Sequence, residues 1–149
     1  MYTTTRARVR ATALTISAVA ALTFAGAGAA QAAPPGVPLS GGQEVPTPTN
    51  RSAHGFFSYE IDGDQFCYSL EVSGLSAPAV AAHVHVGERN VAGPVVIPLT
   101  VPAETSFDVS ACTTADTDLL ADIAADPTSY YVNVHTSTNP PGETRGQLR

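Results

Sequence analysis

Hydrophobic and polar positions alternate with a period of two over most of the chain. From His54 to Ile61 the residues Phe57, Tyr59 and Ile61 interleave with Phe56, Ser58 and Glu60. Asp62-Gly63-Asp64 follows as a turn, and Phe66 to Val72 alternates again, so the pattern predicts a β-hairpin. Val80 to Val86 predicts a third strand, Val95 to Leu99 a fourth, and Thr105 to Ala111 a fifth. Leu39 to Pro48 is broken by Gly and Pro and predicts only a short edge strand around Gln43 to Val45. Thr114 to Ala125 departs from the alternation. Leu119, Leu120 and Ile123 fall on one helical face, Thr114 is the expected N-cap, and Pro127 stops the helix. Tyr130 to Thr136 returns to alternation, Asn139 to Gly142 turns the chain, and Thr144 to Arg149 is the last strand.

Seven or so short strands and one short helix predict an all-β fold, a β-sandwich or flattened barrel. Composition agrees. The 149 residues fit one domain, and twelve Gly with twelve Pro suit strands and turns better than a helical bundle. There is no Lys, only 7% of residues are aromatic, and the net charge is −6. No basic patch with interleaved aromatics exists, which excludes nucleic acid as a partner.

The N-terminal region has its own logic. Arg6, Arg8 and Arg10 precede an uncharged, Ala-rich run from Ala11 to Ala30, which ends in Ala30-Gln31-Ala32. These are the parts of a secretory signal peptide over residues 1–32, with cleavage after Ala32; the competing reading is a retained membrane anchor. A Pro-rich lead-in over residues 33–38 and a domain over residues 39–149 complete the division. After cleavage four arginines face thirteen carboxylates, a net charge of −9. The expected product is secreted and has no membrane contact. Cys67 and Cys112 both lie in the exported part, where oxidising conditions favour a disulfide. Each cysteine keeps phase with polar neighbours, so the bridge is expected to tie adjacent strands outside the core.

Chemistry concentrates in a few residues. In Ala82-His83-Val84-His85-Val86 the two imidazoles share one face, about 7 Å apart along the strand, while the valines face the core. Tyr131-Val132-Asn133-Val134-His135 puts Asn133 and His135 on a polar face in the same way. If the two strands are neighbours, His83, His85 and His135 form a three-imidazole cluster, a set that copper and zinc both accept. A hydrogen-bonded network is the alternative. His54 has no partner at ligand spacing. Glu143 and Arg145 are expected to pair with each other or with Glu44, so Glu44, Asn133, Glu143 and Arg145 make a structural polar network. No catalytic residue is assigned: Gly-x-Ser-x-Gly, a phosphate-binding Gly-rich loop and Cys-x-x-Cys are all missing from the sequence.

Five segments carry a resemblance. Leu39 to Pro46, His83 to Gly87, Gly93 to Val96, Tyr131 to Thr136 and Pro141 to Leu148 together resemble the CHRD domain family. The resemblance runs in order from about Leu39 to Arg149. It implies an immunoglobulin-like, Greek-key β-sandwich or flattened barrel and an exported single-domain protein. With no complete catalytic set in the sequence, the expected role is a non-catalytic extracellular or envelope module that binds an unknown ligand or protein. A fainter similarity links the His-x-His strand and the late strand ending in His to copper/zinc superoxide dismutases, where such residues bind copper. Only Gly87 to Gly93 stands where those enzymes carry a zinc loop, and the guidance loop shrinks to Thr138 to Gly142. That similarity therefore implies at most a mononuclear copper site.

Overall fold

A computed structural model describes residues 36–149 together with Met1 and Thr3. Apart from Met1 and Thr3, the expected signal peptide over residues 1–32 and its cleavage site fall outside the described residues. The strands are β1 (Val37–Ser40), β2 (His54–Asp62), β3 (Gln65–Ser73), β4 (Ala79–Val86), β5 (Val95–Leu99), β6 (Phe107–Thr114), β7 (Tyr130–Thr136) and β8 (Thr144–Gln147), with one helix, α1 (Thr117–Ala125). They form one antiparallel sheet in the order β5-β4-β7-β8-β1-β2-β3-β6. The sheet curls until its two ends approach. The Tyr68 hydroxyl on β3 donates to the Thr100 carbonyl and accepts from the Thr100 amide, both at 2.8 Å, just beyond β5. The result is the predicted all-β, nearly closed barrel with one short helix.

One core fills the interior. Phe57, Phe66, Leu70, Val84, Ile97, Val132 and Val134 are at most 1% exposed, and each such side chain contributes about 1.5–3 kcal/mol by leaving water. Their positions follow the period-two pattern. On β2 Phe57 is buried and Phe56 exposed, and on β4 Val84 is buried in the core. Gly63, at φ 59°, takes the first central position of the β2–β3 turn, where the two-residue hairpin needs a positive φ.

Cys67 and Cys112 face each other in the β3–β6 register and form a disulfide. Cys112 is exposed, so the bridge ties adjacent strands on the outer surface as expected.

Several boundaries differ from expectation. The first strand is Val37–Ser40, and Gly41–Gln43 forms a 3-10 turn in place of the edge strand around Gln43 to Val45. The lead-in over 33–38 thus gives its last two residues to β1. Strand β6 runs to Thr114, so the helix cap is Asp116, whose side chain accepts from the Asp118 and Leu119 amides at 2.9 and 3.1 Å. An Asp in that place also meets the positive end of the helix favourably.

Candidate metal centre

Strands β4 and β7 are neighbours, and their register decides what meets what. His83 faces Asn133, His85 faces Tyr131, and His135 faces Ala81. With alternate residues on one face, His83, His85, Asn133 and His135 share the outer surface of this ladder. The ring centroids of His83 and His135 are 4.9 Å apart, those of His83 and His85 5.6 Å, and those of His85 and His135 5.9 Å. One nitrogen from each ring lies within 4.8 Å of the other two. The three predicted ligands are therefore together.

Hydrogen bonds fix which nitrogens are bare. His85 Nδ1 is 2.9 Å from the Gly93 carbonyl, and His135 Nδ1 is 2.9 Å from the Pro140 carbonyl. A carbonyl only accepts, so both Nδ1 atoms carry the hydrogen and both Nε2 atoms keep a lone pair. His83 Nδ1 then donates to His135 Nε2 at 3.0 Å. His85 Nε2 is buried and has no hydrogen-bond partner among the described residues. An imidazole tied through one nitrogen to a carbonyl and free at the other is the usual state of a metal ligand. Metal–nitrogen bonds of about 2.0–2.1 Å put tetrahedral donors about 3.4 Å apart. The 3.0 Å pair has to open slightly to admit an ion.

Electrostatics favour the neutral rings that a cation needs. Burial pushes all three histidines below the ordinary value. For His83 the neighbouring His135 and His85 add to the effect. For His85 and His135 burial outweighs the carbonyls of Gly93 and Pro140, which work the other way. His85 and His135 are 6% and 9% exposed, while His83 is half-buried and opens the cluster toward solvent.

A row of side chains supports His85. Its ring stacks on Tyr131 at 4.7 Å and 7°, and the Arg145 guanidinium lies 3.3 Å over the Tyr131 ring from the β8 side. Arg145, 1% exposed, donates to the Val91 and Glu88 carbonyls, each at 2.9 Å, and so anchors the loop between β4 and β5. That loop carries the Gly93 carbonyl. A Cβ at Gly93 would run into the Val86 carbonyl, so only glycine lets the loop come this close to β4.

The expected pairing of Glu143 with Arg145 does not form. Among the described residues, Arg145 bonds to two carbonyls and to Gln147 Oε1. Glu143 accepts instead from Asn50 Nδ2 and the Ser76 amide at 2.6 Å, Ser76 Oγ at 2.8 Å and Thr136 Oγ1 at 2.6 Å. Burial would raise its pKa, but these bonds hold the carboxyl below the ordinary range. Glu44 is closer to the expectation. Burial pushes it up to about 7, against the attraction of Arg145 and contacts with Asn133 and the Val45 amide. Its carboxylate packs on Gly142, at φ 140°, where a Cβ would collide with it.

Sequence reasoning overlooked Tyr131, although its phase with Asn133 and His135 marks it as part of the same face. The Gly93 and Pro140 carbonyls left no signal, since a backbone acceptor has no residue type. His54 lies on the exposed start of β2, bonded to the Ser52 carbonyl at 2.8 Å, away from the cluster.

A family model described as the CHRD domain matches residues 36–148. No curated protein and no solved structure gives a significant match.

Proposed function

The chain belongs to the CHRD domain family, and from that premise we propose that it is an exported protein that binds a single copper ion through His83, His85 and His135. The observation that carries this reading is the buried, unpartnered Nε2 of His85, set in one cluster with the hydrogen-bonded imidazoles of His83 and His135. A network built only from hydrogen bonds would leave that atom at a cost of about 1–3 kcal/mol. A cation removes the cost. Copper is preferred to zinc because divalent copper stands highest in affinity for nitrogen donors, and because a three-imidazole set suits it. His83, at the solvent side, leaves room for a water or a small exogenous ligand in a further position.

Export is supported by the basic, Ala-rich start ending in Ala30-Gln31-Ala32 and by the Cys67–Cys112 disulfide, which suits an oxidising compartment. Among the described residues no helix is long and apolar enough to cross a membrane. The expectation of a non-catalytic binding module narrows, in this reading, to a module that binds metal.

Titration of the purified protein with Cu(II), followed by calorimetry and EPR, tests the proposal. One equivalent is expected to bind with nitrogen hyperfine structure from imidazole, and His135→Ala is expected to lose more than about 100-fold in affinity. Equal, weak binding by wild type and His135→Ala would overturn it.

A further inference from the structure

Three imidazoles leave a first-row cation at least one donor short of its usual set. Asn133 stands where that donor is needed. It faces His83 across the β4–β7 ladder and lies two residues from His135 on the same face of β7. It also lies against His85. The side chain is 1% exposed.

Its orientation follows from its other neighbours. Nδ2 donates to the Pro141 carbonyl at 3.4 Å, and the side chain also lies against the Glu44 carboxylate. An amide whose nitrogen is turned to a carbonyl points its oxygen the other way. That oxygen is buried and has no hydrogen-bond partner among the described residues, and the same holds for His85 Nε2. Two bare acceptors buried side by side repel each other unless something positive lies between them.

We propose that Asn133 Oδ1 is the fourth donor of the metal centre, held in orientation by Glu44 and the Pro141 carbonyl. This rests on the three-imidazole reading and extends it to an N₃O set. An amide oxygen is a hard donor, so it stabilises Cu(II) more than Cu(I).

Affinities for Cu(II) and Cu(I), and Cu(II) EPR spectra, of wild type, Asn133→Leu and Asn133→Asp test the assignment. Asn133→Leu is expected to keep the imidazole pattern, shift its parallel g and copper hyperfine values, and lose about 10–100-fold in Cu(II) affinity. Its Cu(I) affinity stays level, so the reduction potential of bound copper rises. Asn133→Asp, with an oxygen in the same place, restores Cu(II) affinity and gives a lower parallel g than wild type. Unchanged Cu(II) affinity and spectrum in Asn133→Leu would overturn the assignment while leaving the three-imidazole site intact. If Asn133→Leu does not fold, a wild-type spectrum in Asn133→Asp overturns it equally. Loss of imidazole coupling in wild type itself would instead remove the copper reading on which this inference stands.

Discussion

The outer faces of the two halves of the sheet have met opposite fates. Strands β2, β3 and β6 turn Ser58, Glu60, Ser69, Glu71, Asp108 and Ser110 outward, and apart from half-buried Ser58 these side chains are exposed. Strands β7 and β8 carry an equally polar outer row of Asn133, His135, Arg145 and Gln147, of which only Gln147 escapes full burial. The difference lies in the loops. The segments after β1, β4 and β7 fold over the second half and meet it through Glu44 on Gly142, Gly93 on His85, and Pro140 on His135. Polar groups left open are satisfied by water. Polar groups under a loop need a fixed partner, and among the described residues Glu44 Oε1, His85 Nε2, Asn133 Oδ1 and Thr144 Oγ1 are buried without one. The same period-two sequence thus yields a solvated surface in one half and a site in the other.

The largest expected effect separates the halves by stability. Replacing Cys67 and Cys112 with serine opens a loop with a sequence separation of 45, worth about 4 kcal/mol in the chain-entropy model. Denaturant melts should show that loss with copper affinity unchanged, because the bridge lies on the open half. A parallel fall in affinity would mean the halves are coupled. Arg145→Ala acts on the covered half, where it empties a buried guanidinium site, frees two carbonyls of the β4–β5 loop and uncovers Tyr131. A loss of about 3 kcal/mol is expected, together with weaker copper binding as the Gly93 loop loosens.

Acid–base behaviour sharpens the contrast, since the perturbed histidines and Glu44 all sit under loops. The histidines have depressed values when folded, so the unfolded chain takes up protons first. Their contribution is present above 6.5 and is lost as pH falls below it. Glu44 has the opposite sign. Its value is raised from 4.5 to about 7, so its contribution is present below 4.5 and is lost as pH rises through 7. Metal-free Glu44→Gln should gain up to about 3 kcal/mol over wild type at pH 8 and nothing below pH 4.5. Thermal melts across pH check both limbs. The smallest effect belongs to the open half. Ser69→Ala breaks only an exposed 2.7 Å contact with Ser110 and should shift stability by less than about 0.5 kcal/mol, with copper binding unaltered.

Alternation made the β2–β3 hairpin, β4, β7, the phase of the cysteines and the common face of the three histidines legible in the sequence. What it could not reveal has physical causes. Pro38 argued against a strand, yet β1 pairs with β8 only at Ser40 and Arg145, which leaves the proline free of that ladder. Thr114 looked like a cap because it precedes the helical pattern, but its backbone is needed by β6 opposite Gln65. Glu143 and Arg145 looked like a pair because opposite charges two apart share a face. Folding gave each a denser set of partners from loops distant in sequence, and periodicity says nothing about where loops go.

The central claim is that the covered half holds copper between its imidazoles. Anomalous diffraction at the copper edge, from crystals of the copper-loaded protein, tests it most directly. One strong peak is expected within about 2.0–2.1 Å of a ring nitrogen of each of His83, His85 and His135, with the 3.0 Å His83–His135 hydrogen bond broken. Copper found only elsewhere, with that hydrogen bond intact and His85 Nε2 still bare, would contradict it.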